Sequence, residues 1–319
     1  MRRVFLIAFF LIVPLFASAE LIPTYGTLQL SIRPQYPAPH ETVTLTASNA
    51  GSNGGETYIW SVDDTIVLQG IGEKTLVLPA GDSGSTQTVS LITVDEAGNP
   101  QGVASMLIRP ADIDLVWEAK TAVPPFYTGR PLPNGASAIT LLAIPHIILN
   151  DTELPTNALI YTWQVNGIPF AGSGYGKSSV TITPPLFGTT FTVSVHAETP
   201  DGAGAADGIT AIIPQTPEAL LYENTPLLGI RFEKLISGTF ALSGEEISLT
   251  AFPIFTQNPD ALSYQWSLDG QPFAVSANAP RDVTLRKVGE GSGTHAVTFS
   301  FTNPQSFLEN GAASFKLVF

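Results

Sequence analysis

The chain has 319 residues, with 14 Lys and Arg against 27 Asp and Glu and a formal net charge of −13 at pH 7. This acidity disfavours nucleic-acid binding, because the chain has no excess of cations to release the counterions of a phosphate backbone. The sequence contains no cysteine, which excludes disulfides, thiol catalysis and Cys-based zinc sites and favours an exported bacterial protein over an animal extracellular one.

The N-terminal residues have the three parts of a secretory signal peptide. Arg2 and Arg3 form a basic start, residues 4–16 are almost wholly apolar, and Ala17-Ser18-Ala19 supplies small residues before a cleavage site. We therefore predict that residues 1–19 are removed and that the mature chain reaches the periplasm or the cell surface. The alternative is a retained anchor, although a spanning helix needs about 20 apolar residues. No later segment is apolar enough to cross a bilayer, so we expect no stable membrane span after cleavage.

Three of the four tryptophans lie in a motif that recurs every 103 residues. Each motif is a Tyr-x-Trp strand, with the aromatic pairs Tyr58 and Trp60, Tyr161 and Trp163, and Tyr264 and Trp266. A turn pair follows each strand, namely Asp63-Asp64, Asn166-Gly167 and Asp269-Gly270. Alternation along a strand places Tyr and Trp on one face. We predict that all six aromatic residues belong to the structural core, with each Trp between two sheets.

The strands around each motif recur in the same order. A strand precedes the motif at 41–47, 138–143 and 246–251, and three follow it at 76–78, 88–94 and 105–108, at 180–182, 192–197 and 209–212, and at 283–285, 297–301 and 314–317. Thr- and Val-rich runs between Gly and Pro are typical of a β-sandwich. We predict an all-β fold of three tandem immunoglobulin-like domains at 20–110, 111–215 and 216–319, joined as a semi-rigid rod.

The Tyr-x-Trp strand, its Asp or Asn turn and the segment at residues 88–99 resemble bacterial exported PKD-type and Ig-like domains. The resemblance covers nearly all of the predicted mature chain, three times over. The chain departs from the PKD pattern, because its tryptophans are not followed by a turn of the Asp-Phe-Gly-Asp-Gly type. The resemblance implies a spacer, adhesion or polymer-contacting role outside the cytoplasm.

Two groups of residues have the composition of a ligand site. Residues 171–178 satisfy a permissive phosphate-loop pattern, but a strand ended by Pro184 follows where that loop needs a helix, so we predict a glycine-rich connection between strands. Acidic residues near the first junction are either a solvated edge or a calcium site between domains 1 and 2; they are Asp95, Glu96, Asp112 and Asp114. We otherwise predict no cofactor, and no metal site at His40, His146, His196 or His295.

Trp117 lies outside the repeated motif, and Phe126 and Tyr127 follow it in an aromatic-rich segment. We predict that these three residues pack between domains, with ligand contact as the alternative. The sequence favours a non-catalytic structural or adhesive protein of the bacterial cell envelope that contacts an unknown protein or envelope polymer. One alternative is a carbohydrate- or polymer-binding module. Another is a hydrolase that uses loop carboxylates, although no pair of carboxylates stands out.

Overall fold

The computed structural model describes residues 28–49, 54–185 and 188–319, so the predicted signal peptide and its cleavage site lie outside the described residues. Apart from two one-turn 3-10 helices at Thr156–Ala158 and Pro259–Ala261, the regular elements in these ranges are β-strands. No helical segment in the same ranges combines the length and the apolar character that a bilayer crossing requires.

The first seven strands form one pair of sheets. Their bounds are Leu28–Arg33 (β1), Thr42–Asn49 (β2), Thr57–Val62 (β3), Thr65–Ile71 (β4), Thr75–Pro79 (β5), Gln87–Val94 (β6) and Pro100–Ile108 (β7). One sheet has the order β1-β2-β5 and the other has the order β4-β3-β6-β7. Buried side chains alternate with exposed or half-buried ones along β2 and β6, as expected for strands with one face in a core.

The next strands form a second pair of sheets. Their bounds are Asp112–Ala119 (β8), Ile139–His146 (β9), Ile148–Leu149 (β10), Thr152–Glu153 (β11), Ile160–Val165 (β12), Ile168–Pro169 (β13), Gly174–Tyr175 (β14), Ser179–Ile182 (β15), Phe191–Glu198 (β16) and Ala205–Ile212 (β17). One sheet has the order β15-β9-β8, and the other has the order β13-β12-β16-β17 with β14 also beside β12. Strands β10 and β11 form a separate hairpin.

The remaining strands form a third pair of sheets. Their bounds are Glu218–Thr225 (β18), Gly229–Leu235 (β19), Gly238–Ala241 (β20), Glu246–Ile254 (β21), Ser263–Leu268 (β22), Gln271–Phe273 (β23), Asp282–Arg286 (β24), Thr294–Asn303 (β25) and Ser306–Val318 (β26). The sheets have the orders β19-β18-β21-β24 and β20-β26-β25-β22-β23. Strands β19 and β20 are additions to the pattern of the first two pairs, and β20 pairs with β26 in parallel.

The three sheet pairs share one strand order. One sheet of each pair has an equivalent strand at its centre: β2 lies between β1 and β5, β9 between β8 and β15, and β21 between β18 and β24. In the other sheet the Tyr-x-Trp strand lies beside the strand that precedes the last. This is the order of an immunoglobulin-like sandwich, and the predicted all-β fold class is confirmed. The described residues divide into two compact units: 28–32, Thr44–Val77 and Thr88–Leu107 in one, and Arg33–Val43, Leu78–Gln87 and Ile108–Phe319 in the other. The domain boundaries at residues 110 and 215 stay predictions.

The predicted turn after each Tyr-x-Trp strand forms a hairpin with both central residues at positive φ, as a type I′ turn requires. The first turn residue also ties the hairpin to the next strand of the sheet. Asp63 accepts a hydrogen bond from Thr88 N at 2.8 Å, Asn166 accepts one from Thr192 N at 2.9 Å, and Asp269 accepts one from Ala296 N at 2.8 Å. An Asp or Asn is therefore needed at this position for its acceptor oxygen and for its tolerance of positive φ.

Candidate contact surfaces

The three repeated tryptophans have no exposed surface. Each indole Nε1 donates a hydrogen bond to a backbone carbonyl 13 or 14 residues further along the chain, at Glu73 (2.8 Å), Lys177 (2.8 Å) and Pro280 (3.2 Å). An indole buried without such an acceptor would have an unsatisfied N–H group. A backbone carbonyl at an equivalent position satisfies this group in each repeat.

The tyrosines of the motif differ in burial. Tyr58 and Tyr161 are buried, while Tyr264 is half-buried. Tyr161 donates its hydroxyl hydrogen to Thr156 O at 2.8 Å, and Tyr264 donates to Pro259 O at 2.5 Å. Both acceptors lie in the one-turn helix that precedes the strand, so these two hydroxyl groups fix the connection that enters the motif.

Phe126 lies where the second sheet pair meets the third. Its ring centroid is 4.0 Å from that of Phe232, 5.2 Å from that of Tyr222 and 5.6 Å from that of Phe252. Tyr127 packs edge-on against Phe255, with ring centroids 5.8 Å apart. Both residues follow β8 in the chain, and these contacts place them against the third sheet pair.

Trp117 has different neighbours from Phe126. It lies on β8, is half-buried and packs against the core of the second sheet pair. The guanidinium of Arg130 lies 4.4 Å from the centre of its ring, which is within the range of a cation–π contact. Trp117 is thus held within the second sheet pair, whereas the sequence prediction grouped it with Phe126 as a residue between domains.

The connection between β8 and β9 extends over residues 120–138 and reaches the third sheet pair. Ala122 N donates to Thr256 O at 2.6 Å, and Phe255 N donates to Ala122 O at 2.9 Å. Phe255 adopts a φ of 59°, which is uncommon for a residue with a large side chain and requires support from its surroundings. We call this contact of residues 120–138 with the third sheet pair the joint.

A buried carboxylate lies at the centre of the joint. Glu309 on β26 has no exposed surface, and it accepts hydrogen bonds from Asn134 Nδ2 at 2.9 Å, Gln257 N at 2.6 Å and Asn303 Nδ2 at 2.5 Å. Asn134 is also fully buried, and its Nδ2 donates a second hydrogen bond to Phe255 O at 2.7 Å. A buried polar group is costly unless it is paired, so this cluster is stable only while both sides of the joint are in place.

A second polar cluster lies on the outer face of β16 and β17. His196 Nδ1 is 2.7 Å from Asp207 Oδ1, and its Nε2 is 3.7 Å from Glu198 Oε2. The hydrogen bond with Asp207 raises the pKa of His196 against the opposing effect of burial. The ring of Tyr36 lies 4.6 Å from the imidazole, and both line a cleft of about 500 Å³.

The His196 cluster lacks the geometry of a nucleophile and its base. Ser194 lines the same cleft, but no hydrogen bond joins it to the imidazole among the contacts of the described residues. The Nε2 atom faces Glu198 instead of a hydroxyl group. The arrangement is an ion-paired cluster, in which a protonated imidazole is stabilised by two carboxylates.

Two of the four candidate calcium ligands already have partners. Asp95 accepts hydrogen bonds from Ala97 N, Asn99 N and Asn99 Nδ2 within its own turn and from Gln101 Nε2 on β7. The bond from Asn99 N contributes most to lowering the pKa of Asp95. Asp114 Oδ2 lies 3.4 Å from His146 Nε2. The described ranges hold no group of three or more His, Asp or Glu side chains placed to bind a metal ion.

The glycine-rich segment at residues 171–178 is a connection between strands, as the sequence prediction has it. Its central residues form β14, which pairs with the start of β12, and β15 follows in place of a helix. Trp163 N donates to Ser173 Oγ at 2.9 Å, so this serine supports the sheet edge.

No known protein family and no curated protein sequence matches the chain. Solved structures similar to it include the central fibronectin-III array of RIM-binding protein, at 16% identity over 91% of this chain and 95% of that one, with a TM-score of 0.31. Others are the three N-terminal domains of the bacteriophage RB49 outer capsid protein Hoc (16%, 92% and 97%, 0.25) and a bacterial ice-binding adhesin (11%, 92% and 97%, 0.24). At these identities and TM-scores the similarities carry no argument about function.

The sequence reading missed the residues that build the joint. Asn134 and Glu309 are 175 residues apart, and neither belongs to the repeated motif. Phe232 and Phe252, which pack against Phe126, carry no signal of their own in the sequence. Glu309-Asn310-Gly311 has the composition of a turn, whereas the structure places it inside β26.

Proposed function

We propose that the chain is a non-catalytic, exported structural or adhesive protein of the bacterial cell envelope, built from Ig-like, PKD-like domains at 20–110, 111–215 and 216–319. It contacts a protein or an envelope polymer outside the cytoplasm. The signal-like N-terminus and the 103-residue repeat support this proposal from the sequence.

The observation that carries the proposal is the joint. Two neighbouring sandwiches linked only by a flexible connection would move independently, which is the default for domains in one chain. Here the aromatic cluster around Phe126 and the buried Glu309 cluster resist such movement, because opening the joint exposes apolar rings and leaves buried donors unpaired. A stiff connection is useful in a spacer or an adhesin, since it holds a terminal contact surface at a fixed distance.

The carbohydrate-binding alternative depends on Trp117 and Tyr127 as exposed stacking platforms. Both side chains have partners within the chain, since Arg130 covers the Trp117 ring and Phe255 packs against Tyr127. A sugar would have to displace these partners before it could stack on either ring. These residues therefore give no support to a sugar-binding platform.

The proposal is tested by locating a C-terminally tagged chain in fractionated bacterial cells. We expect to find the chain in the envelope fraction, and we expect its mass to be reduced by the predicted leader of 19 residues. The matched control deletes residues 2–19 and should remain in the cytoplasm. Recovery of the intact chain mainly as a free soluble species, or hydrolysis of substrates in a broad glycoside and ester panel, would overturn the proposal.

A further inference from the structure

The outer edge of β22 is only partly covered by a neighbouring strand. Strand β22 pairs along its whole length with β25 on one side. On the other side it pairs with β23 at Trp266, Ser267 and Leu268 only. Within the described ranges no strand pairs with residues 263–265 from that side, and Ser263 is exposed.

The corresponding edges of the first two sheet pairs are covered. Strand β4 pairs with β3 from Thr57 to Val62. In the second pair, β13 covers the end of β12, and β14 covers its start by pairing with Ile160 and Tyr161. Of the three Tyr-x-Trp strands in the described chain, β22 is thus the one with half of this edge open.

Glycine residues explain the difference between the second and third repeats. Gly172, Gly174 and Gly176 adopt φ values of 120°, 138° and 69°, and this path brings β14 alongside β12. The residues 103 positions later are Val275, Ala277 and Ala279. A Cβ atom disfavours positive φ, so the third repeat cannot follow the same path without strain. Its chain instead closes a local turn, in which Ala279 N donates to Ser276 O at 3.1 Å.

The backbone of Tyr264 has groups directed at the open side. In the second repeat, Phe170 N donates to Trp163 O at 2.8 Å, so Trp163 directs its backbone groups towards β13. Residues two apart on an antiparallel strand direct these groups to the same side, and Tyr161 accordingly pairs with Gly174 of β14. Tyr264 is the equivalent of Tyr161, so its N–H and C=O face the position that β14 fills in the second repeat.

A cleft of about 600 Å³ lies beside this open edge. Its lining combines apolar side chains, such as Phe273 and Val275, with the uncharged polar side chains of Gln265, Ser300 and Thr302. None of the described side chains that line it carries a charge. A charged group placed there would lose solvation without gaining an opposite charge.

We infer that this edge binds an extended, uncharged segment of a partner protein, which pairs antiparallel with residues 263–265 as β14 pairs with β12. Main-chain hydrogen bonds to Tyr264 supply the affinity, and the side chains of the bound segment enter the cleft. The inference rests on the proposed function. It adds the site of one protein contact and the class of segment that binds there.

The test uses the absence of cysteine from the chain. A Ser263→Cys variant is equilibrated, in a thiol–disulfide buffer, with the peptide Ala-Gly-Ser-Gly-Cys-Gly. This peptide reproduces residues 171–176 with cysteine in place of Tyr175, the residue that pairs with the equivalent of Ser263. A second peptide carries an N-methyl group on the glycine before its cysteine, which removes the donor to Tyr264 O. Intact-mass spectrometry measures the labelled fraction, and we expect about tenfold less labelling by the methylated peptide.

A Ser267→Cys variant is the matched control, because it lies on the same strand where β23 already covers the edge. It should label equally with both peptides. Equal labelling of Ser263→Cys by the two peptides overturns the inference. So does preferential formation of a disulfide-linked dimer of the variant, which would make a second copy the occupant. The labelling assay does not involve export, so its failure leaves the envelope proposal intact, and a chain that fails to reach the envelope can still label selectively.

Discussion

Replacing Glu309 by alanine tests the stability of the joint. The substitution removes the acceptor of three donors: the Asn134 side chain, the Gln257 amide and the Asn303 side chain. An unsatisfied buried donor costs about 1–3 kcal/mol, and a removed buried methylene adds about 1 kcal/mol. Asn134 keeps its bond to Phe255 O, and the other two donors lie in partly exposed surroundings where water can reach them. We therefore expect a loss of about 3–5 kcal/mol, out of the 5–15 kcal/mol typical of a folded protein.

Urea unfolding of the full chain, followed by circular dichroism, measures this loss in the free energy of unfolding. Glu309→Gln keeps an oxygen for Asn134 and Gln257 but turns an amide donor towards Asn303, so we expect a loss of about 1–2 kcal/mol. The matched control is Glu290→Ala at an exposed position, with a change within about 0.5 kcal/mol. A loss under about 1 kcal/mol for Glu309→Ala, or equal losses for Ala and Gln, would refute the hydrogen-bond argument.

Three further predictions concern other parts of the second unit. We expect NMR titration to give His196 a pKa above that of a free histidine, and Asp207→Asn to lower this pKa. Because the folded pKa is raised, the stabilisation by His196 is complete below about pH 6.5 and is lost as the pH rises through the folded pKa. A His196→Gln variant that retains this pH dependence of stability would contradict the assignment. We expect Gly311→Ala to lower the free energy of unfolding in urea by about 1–3 kcal/mol, because the added Cβ would lie 2.6 Å from Phe301 Cζ and 2.7 Å from Pro217 O. The control Gly244→Ala has open space around it and should be nearly neutral. Equal effects of the two substitutions would refute the packing argument. Phe126→Ala removes the half-buried ring from the aromatic cluster, and we expect it to lower the free energy of unfolding by about 1–3 kcal/mol in the same assay. The control Tyr175→Ala removes an exposed ring and should cost less than about 0.5 kcal/mol. Matching losses would show that the aromatic cluster does not stabilise the fold.

The repeated part of the fold was predictable because its signals are local in sequence. Trp60, Trp163 and Trp266 each sit four residues or fewer from a turn pair and within strands of alternating character, so strand order and fold class follow from the pattern. The joint was not predictable in this way. Glu309 contacts Asn134 across 175 residues, and a lone glutamate in a polar run has the appearance of a surface residue. The open edge of β22 could be predicted only in part. The sequence shows Val275 at the position equivalent to Gly172, but only the strand pairing shows that this change leaves an edge uncovered.

The indole hydrogen bonds and the contact between Asn134 and Glu309 span very different lengths of chain, and this difference sets the order in which they can form during synthesis. Each indole hydrogen bond closes within 13 or 14 residues, so its loop-closure cost is small and a sandwich can begin to form soon after its middle strands emerge. The contact between Asn134 and Glu309 needs β26, because Glu309 lies 175 residues further along the chain. Asn134 therefore stays uncovered until β26 has been made, and a chain truncated before Glu309 would keep that polar group exposed to solvent and to quality-control proteases.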